Sequence, residues 1–241
     1  MDWSAFFEVH KDLPREGPGT AGDVVWATAL AGLPEGAAIC DAAAGPGADI
    51  EALAQSVPGA RVSAFDKNDG FVGQMQARFS GAPNVTVQKA DLAEIASLPT
   101  APFDMIWCAG ALYFLGLDNG LEVLRGALKP GGVLAFSEPC YFTETPSPKA
   151  CAFWEGYPTR DRAGIAAAVS AAGFEILGTR DVADAGWQAY YQPMEARIAK
   201  LRADGDPRLT HMLNLCAKEA EDWRAVRSET GYLLTVARRL S

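Results

Sequence analysis

Short apolar runs alternate with segments of helical periodicity along most of this 241-residue chain. Apolar runs bounded by turn residues predict strands, and apolar residues spaced three or four positions apart predict helices. The predicted strands cover residues 37–41, 61–66, 84–88, 103–109, 133–138, 174–180 and 231–237. The predicted helices cover residues 49–56, 70–79, 93–97, 119–128 and a stretch that Thr159 caps and that runs through Ala172 to Gly173. This alternation is typical of a doubly wound parallel α/β sheet.

Two regions depart from that alternation. Residues 1–35 precede the first core strand, and we expect them to form a helical arm that covers a cofactor. Residues 182–230 separate the last two strands and contain two helical stretches, over residues 185–202 and 207–227. Apolar residues recur at three- and four-residue steps in the second stretch, so one face of that helix is buried. We therefore predict a core over residues 36–181, a helical lid over residues 182–230 above the carboxyl edge of the sheet, and a last core strand in residues 231–241.

Charge and composition narrow the class of protein. The formal net charge is −9, so a nucleic acid would need a local basic stripe, and none stands out. The five cysteines form no CxxC pair, which indicates reduced and mostly buried thiols. No apolar run approaches the roughly 18–20 residues that span a bilayer, and the charged, proline-broken N-terminus is not typical of a secretory signal. We expect a cytoplasmic protein that binds neither nucleic acid nor membrane.

The stretch "ICDAAAGPGADI", residues 39–50, predicts a buried strand that enters a tight glycine turn and then a helix. Such turns bind nucleotide-like cofactors, but the P-loop pattern GxxxxGK[ST] and the dinucleotide pattern GxGxxG are both absent. Asp41 ends the strand. Asp49 places a carboxylate at the helix N-terminus, where it would repel a phosphate. The loop therefore favours a ligand that is cationic at this point over one that is anionic.

Two further carboxylates follow the next two predicted strands at equal intervals. Asp66 lies twenty-five residues after Asp41, and Asp91 lies twenty-five residues after Asp66. Asp66 can accept hydrogen bonds from both hydroxyls of a ribose, and Asp91 can accept one from an adenine amino group. The Leu92 backbone N–H can reach a ring nitrogen of the same base. S-adenosylmethionine (SAM) has an adenosine, an ammonium and a sulfonium but no phosphate, so it fits these acids.

Five motifs resemble, in order and spacing, those of the class I SAM-dependent methyltransferases. They are "ICDAAAGPGADI", "VSAFDKN", "VQKADL", "PFDMIWCAGALYFLG" and "LKPGGVLAFSEP", and the resemblance covers roughly residues 15–240. The chain is most similar to a bacterial small-molecule branch near the ubiquinone- and sterol-type methyltransferases. That branch has an early "GPG" segment, here residues 15–20, and a late "W…YY" segment, here Trp187, Tyr190 and Tyr191. The resemblance implies a Rossmann-like α/β fold with a seven-stranded, mostly parallel sheet, an antiparallel last strand, helices on both faces and a helical lid.

The resemblance also implies which residues bind the cofactor. Arg15 would bind the methionine carboxylate, unless it is only a surface arginine beside Glu16. Ala43 departs from the family pattern, in which glycine is usual. Its methyl group is tolerated if its φ is negative and disfavoured only in a left-handed turn, so we expect the loop to bind SAM. The full cofactor set is Arg15, Gly19, Asp41, Ala43, Gly45, Gly47, Asp66, Lys67, Asp91, Leu92 and Cys108.

Candidate acceptor residues come from the strand ends and the lid. Those expected to bind substrate are Trp107, Gly110, Tyr113, Trp187 and Tyr190. The aromatic residues either line a pocket, with cation–π attraction for an amine, or only pack the lid onto the sheet.

Glu138 and Tyr191 are the candidate catalytic residues. Glu138 either orients a substrate amine or accepts a proton, or it only caps the turn that follows its strand. Methyl transfer from a sulfonium depends mainly on alignment and exclusion of water, so the lack of a Ser-His-Asp set is no argument against an enzyme.

These observations together predict a function. We expect transfer of a methyl group from SAM to a small molecule, which yields S-adenosylhomocysteine (SAH), by a monomer or a homodimer. Only two histidines are present, and neither has a Cys, Asp or Glu at ligand spacing, so we expect no metal. An RNA or protein methyltransferase and a non-catalytic SAM- or SAH-binding module are the alternatives.

Overall fold

The computed structural model of the protein describes residues 2–241 and is built around one sheet. The strands are β1 (Ala38–Ala42), β2 (Arg61–Asp66), β3 (Val85–Lys89), β4 (Phe103–Cys108), β5 (Leu128–Tyr141), β6 (Arg160–Asp161), β7 (Phe174–Asp181) and β8 (Thr230–Arg239). Their order across the sheet is β3-β2-β1-β4-β5-β8-β7, and the two-residue β6 pairs with β5 off this path. The predicted mixed α/β sheet is confirmed. The short β6 is an eighth strand that the sequence did not predict, because two residues are too few to give a periodic signal.

Strand direction brings the predicted site residues to one edge of the sheet. Strands β1 to β5 pair in parallel, whereas β8 runs antiparallel to both β5 and β7. The predicted antiparallel last strand is therefore confirmed. Strand order reverses between β1 and β4, and in parallel sheets ligands bind at the carboxyl ends of the strands beside such a reversal. The carboxyl ends of β1, β2, β4 and β5 share this edge.

Helices cover both faces of the sheet. They are α1 (Trp3–His10), α2 (Ala21–Ala31), α3 (Ile50–Ser56), α4 (Asp69–Arg78), α5 (Leu117–Gly126), α6 (Pro148–Phe153), α7 (Arg162–Ala171), α8 (Asp184–Asp204) and α9 (Thr210–Val226). Apolar residues of α2, α3, α4, α8 and α9 share one buried cluster with one face of the sheet. Residues of α5 and α7 form a second cluster with the other face. Burial of apolar surface on both faces is the main stabilising contribution to this architecture.

One strand begins earlier than the sequence predicts. We expected residues 129–132, "KPGG", to end a helix before a strand that starts at residue 133, but β5 already starts at Leu128. The ladder shifts register across this segment, since Phe103 pairs with Leu128 while Met105 pairs with Val133. The proline and glycines therefore mark a bulge within the strand rather than a connection before it.

Two helical predictions also need correction. Thr159 does not cap α7; the Asp161 carboxylate accepts the Gly164 N–H at 2.7 Å, and the helix starts at Arg162. Residues 92–97 form a 3₁₀ helix, whose carboxyl end is followed by a proline-rich turn. Thr159 and Asp161 are both residue types that commonly cap helices, so local sequence does not show which of them caps α7.

The two helical stretches predicted between the last strands are α8 and α9, joined by a 3₁₀ turn over Pro207–Leu209. Helix α1 packs on both of them, and the ring of Phe7 in α1 lies 6.4 Å from the ring of Phe71 in α4. Helix α1 therefore extends from α8 and α9 to the helix that follows β2. Over residues 2–241, no helix is both long and apolar enough to cross a membrane.

Candidate functional site

The glycine turn after β1 has three left-handed residues in close succession. The φ angles are +54° at Ala43, +56° at Gly45 and +82° at Gly47. A Cβ added at Gly47 would lie 2.8 Å from the Ile50 side chain and 2.9 Å from that of Met75, so a larger residue would have to displace both and adopt an unfavourable φ. Our expectation for Ala43 allowed for a negative φ, and that is not what the turn adopts. Ala43 holds a conformation that favours glycine, at a cost of about 1 kcal/mol.

Asp49 at the start of α3 bonds to side chains rather than capping its own helix. Its Oδ1 accepts from an Arg15 guanidinium nitrogen at 2.7 Å, and its Oδ2 accepts from Trp107 Nε1 at 3.0 Å. The Arg15 side chain is only 11% exposed, so it is not a surface arginine. A second guanidinium nitrogen donates to the Gly17 carbonyl at 2.9 Å. This buried pair fastens the N-terminal segment to the glycine turn.

Two carboxylates beside the turn each keep one buried oxygen without a hydrogen-bond partner, namely Asp41 Oδ2 and Glu16 Oε1. Burial, reinforced by the negative charge of Asp49, raises the pKa of Asp41 well above its usual range. Burial likewise raises the pKa of Glu16, although His10 opposes the shift. The other Glu16 oxygen contacts His10 Nδ1 at 2.7 Å.

Glu16 was absent from the residues predicted from the sequence. Its Cγ would lie 3.4 Å from a Cβ at Gly45, so the side chain lies directly over the glycine turn. The only sequence signal for this position was its place in the early "REGPGT" segment.

The predicted ribose and adenine residues lie along the next two strand ends. The Asp66 carboxylate accepts the Gly45 N–H at 2.9 Å and the Asn68 N–H at 2.8 Å, and so joins the turns after β1 and β2. Asp91 is exposed and accepts the Ala93 N–H, while Leu92 is buried beside it. Lys67 is exposed, and its Nζ lies 5.3 Å from the ring centre of Phe114.

Gly19 has a different position from the other predicted cofactor residues. Its N–H donates to the Gly186 carbonyl at 3.2 Å, which ties the N-terminal segment to α8. Cys108 is buried at the end of β4, and burial raises the pKa of its thiol. Gly110 follows with φ +69°, and its N–H donates to Ser137 Oγ at 2.7 Å.

Glu138 lies near the end of β5 and is 2% exposed. Its Oε1 accepts from the Tyr157 hydroxyl at 2.5 Å, whereas its buried Oε2 has no partner. Burial raises the pKa of Glu138 from 4.5 to about 7, although the Tyr157 hydrogen bond and the Arg160 charge both oppose this. The Tyr157 ring meets the Tyr113 ring edge-on at 6.1 Å. A free oxygen and a pKa near neutral pH are the two properties that a proton acceptor needs, and Glu138 has both.

The predicted lid aromatics lie in one buried cluster. Trp187 stacks on Trp223 at 5.2 Å, on Tyr232 at 5.3 Å and on Tyr191 at 5.9 Å. Tyr190 is buried next to Tyr191. Packing is therefore one role of these rings. Tyr191 also donates its hydroxyl to Glu219 Oε1 at 3.0 Å, and Glu219 was not predicted from the sequence.

Glu219 and Glu138 flank the same aromatic cluster. Glu219 is exposed on α9 and accepts from Tyr191, whose ring stacks on Trp187, and Trp187 stacks on Tyr232. Tyr232 pairs with Pro139, the residue that follows Glu138 in β5. Desolvation raises the pKa of Glu219, and burial together with the charges of Glu219 and Glu138 raises the pKa of Tyr113 to about 12. We call the region that these contacts outline the acceptor recess: Tyr113, Glu138, Tyr157, Tyr191 and Glu219.

Nothing in the described part of the chain groups three or more metal-ligating side chains. The five cysteines are free, and Cys151 alone among them is exposed.

Comparison with known proteins supports a methyltransferase assignment for the part of the chain that contains the glycine turn, Asp66 and Asp91. A family model described as a methyltransferase domain matches residues 39–132. The chain is 34% identical over 158 residues to trans-aconitate 2-methyltransferase of Paracidovorax citrulli, covering 64% of this chain and 58% of that protein. It is 33% identical over 108 residues to the enzyme of the same name from Variovorax paradoxus, covering 44% of this chain and 40% of that one. The chain thus spans about half the length of the curated relatives it matches.

The fold matches solved structures over nearly the whole chain. A SAM-dependent methyltransferase from Geobacter sulfurreducens, solved with SAH, superimposes with a TM-score of 0.82. The match covers 97% of each chain at 18% identity, so it is evidence for the fold alone. The family model shows a methyltransferase domain over residues 39–132, and the relatives and the ordered motifs agree with a domain of the class I SAM-dependent type.

Proposed function

We propose that the chain is a methyltransferase that uses SAM, acts on a small-molecule acceptor and releases SAH. The observation that carries this proposal is the pair of unpartnered buried oxygens beside the glycine turn, Asp41 Oδ2 and Glu16 Oε1. A buried carboxylate oxygen without a partner is costly, and an ammonium group placed there would satisfy it. SAM and SAH both carry such an ammonium, and neither has a phosphate that these acids would repel.

The other residues around the turn fit the remaining parts of the same molecule. Asp66 uses only part of its acceptor capacity on Gly45 and Asn68, so lone pairs remain for ribose hydroxyls. Asp91 and Leu92 are placed for the base, and Gly47 lets the backbone approach closely. Arg15 stays a candidate for the methionine carboxylate, although it is already paired with Asp49. When bound, SAM supplies a methyl group that its sulfonium has activated for transfer.

A small acceptor is favoured over a macromolecule. The net charge of −9 opposes a polyanion, and α1 extends over the cofactor edge from α9 to Phe71. We infer that residues 1–35 act as a covering arm and that residues 182–230 act as a lid. The names of the two curated relatives also specify a small-molecule acceptor.

Calorimetry with SAH tests the cofactor half of the proposal. SAH should bind, and NAD, which carries a pyrophosphate, should not. Glu16→Gln should weaken the binding of SAH by about tenfold or more, because a charge-assisted hydrogen bond contributes ~1.5–3 kcal/mol. The same variant should leave methylthioadenosine unaffected, since that compound lacks the methionine ammonium.

The matched control is Glu35→Gln, an exposed acid in the loop between α2 and β1. It should bind SAH like the wild type. Tighter binding of NAD than of SAH would contradict the proposal, and so would an equal loss of SAH and methylthioadenosine in Glu16→Gln. Formation of SAH from SAM with an acceptor present tests the transferase half, and SAH binding without such turnover would instead support the non-catalytic module.

A further inference from the structure

The acceptor recess has carboxylates on both of its sides. Glu138 projects from β5 on the sheet side, and Glu219 projects from α9 on the lid side. A third acid, Glu155 after α6, is close enough for its charge to act on Glu219. The phenol rings of Tyr113 and Tyr157 meet edge to face, and the Tyr157 hydroxyl donates to Glu138. Acidic and aromatic groups that converge on one space are the combination that binds organic cations.

The cations around this recess already have partners. Two arginines act on its residues, Arg160 on Glu138 and Arg224 on Tyr191. Arg160 is paired with Asp118 at 2.5 Å, and Arg224 is paired with Glu195 at 2.6 Å. Neither arginine is therefore free to form an ion pair with Glu138 or Glu219.

The strongest evidence for a ligand is the free oxygen of Glu138. The residue is 2% exposed, and its Oε2 is buried without a hydrogen-bond partner. A buried acceptor left unpaired is unfavourable, because it has lost its hydrogen bonds to water. Such an atom at a recess that also meets solvent indicates that a donor from outside the chain completes the site.

We propose that the acceptor recess binds the methyl acceptor as a small organic ammonium, held between Glu138 on the sheet side and Glu219 on the lid side. The inference rests on the proposed function and specifies its substrate class: an amine that is methylated on nitrogen. An anionic acceptor would be repelled by the ionised forms of Glu138, Glu155 and Glu219, so an ammonium is favoured over a carboxylate.

Glu138 then has a defined chemical role. An ammonium nitrogen has no free electron pair, so one N–H bond must break before the nitrogen can form a bond to carbon. The proton passes to Glu138 Oε2, and the electron pair stays on nitrogen. That pair forms the new N–C bond, the electrons of the broken C–S bond stay on sulfur, and Glu138 returns its proton to solvent. A carboxylate with a pKa of about 7 can take and release this proton near neutral pH.

Binding of matched ligand pairs tests this proposal without turnover. Benzylamine, phenethylamine and propylamine are compared with phenylacetate, 3-phenylpropionate and butyrate by calorimetry, with and without SAH. Trans-aconitate is included because the names of two relatives specify it. We expect at least one amine to bind about tenfold tighter than its carboxylate counterpart. Glu138→Gln and Glu219→Gln should each weaken the binding of that amine by about tenfold or more.

Glu221→Gln is the matched control, because Glu221 is exposed on the same helix two residues from Glu219. It should bind the amine like the wild type. The proposal is overturned if no amine outbinds its carboxylate, if trans-aconitate outbinds every amine, or if neither recess variant weakens the amine. SAH affinity measured on the same samples separates the two proposals, since Glu138 and Glu219 variants should retain it.

Discussion

Replacing Glu138 with glutamine is expected to stabilise the protein at alkaline pH relative to acidic pH. Burial raises the pKa of this carboxyl from 4.5 to about 7. The native state therefore holds its proton more tightly than the unfolded chain does. Linkage then requires that the wild type lose stability as the pH rises from about 4.5 through about 7.

The size of the effect follows from those two pKa values. Between about pH 5 and about pH 8, this one group removes roughly 2–3 kcal/mol of unfolding free energy from the wild type. Glutamine does not titrate, so the variant escapes that loss. Its side chain has nearly the same volume and can still accept from Tyr157. The remaining cost of burying an amide is the same at both pH values and cancels from the comparison.

Urea unfolding at the two pH values measures this difference. The unfolding free energy of Glu138→Gln minus that of the wild type should increase by roughly 2–3 kcal/mol from about pH 5 to about pH 8. Glu122→Gln is the control, because Glu122 is exposed on α5 and has no hydrogen-bond partner among the described residues; its difference should stay constant. A Glu138→Gln difference that is equal at both pH values would refute the electrostatic reasoning.

Three further changes test the cofactor edge. Ala43→Gly should be more stable than Ala44→Gly by about 1 kcal/mol in urea unfolding, because only Ala43 has a positive φ; equal stabilities would mean that the turn is not left-handed at Ala43. Asp66→Ala should weaken SAM by about tenfold or more in calorimetry, and unchanged affinity would remove Asp66 from the site. Arg15→Met should lower the unfolding free energy by about 3 kcal/mol, since it leaves Asp49 buried without its cation; an unaltered thermal midpoint would contradict the importance of that pair.

The sequence predicted those parts of the fold that follow from the spacing of apolar residues along the chain. The core strands and most helices follow from apolar periodicity, and Asp41, Asp66 and Asp91 could be placed because each follows a strand of a parallel sheet. The φ angle of Ala43 could not be predicted, because alanine is compatible with either sign at different cost.

Two acids could not be assigned from the sequence because only tertiary contacts give them a role. Glu16 reaches the glycine turn from a segment that precedes β1, and its neighbours there are His10 and Gly45. Glu219 looks like an ordinary charged position on an amphipathic helix until the fold brings it to Tyr191 and the recess. Charged residues are usually solvated, so sequence alone assigns Glu16 to an exposed loop and Glu219 to the exposed face of a helix.

The division between cofactor and acceptor residues explains why a relative's acceptor need not transfer to this chain. The family match, residues 39–132, contains the glycine turn, Asp66 and Asp91. Glu138 and Glu219 lie outside it, on β5 and α9. Function resides in the site rather than the fold, so the same cofactor edge can serve acceptors of opposite charge. Because a like charge brought beside a desolvated carboxylate is repelled, the recess residues rather than the shared domain should decide the acceptor.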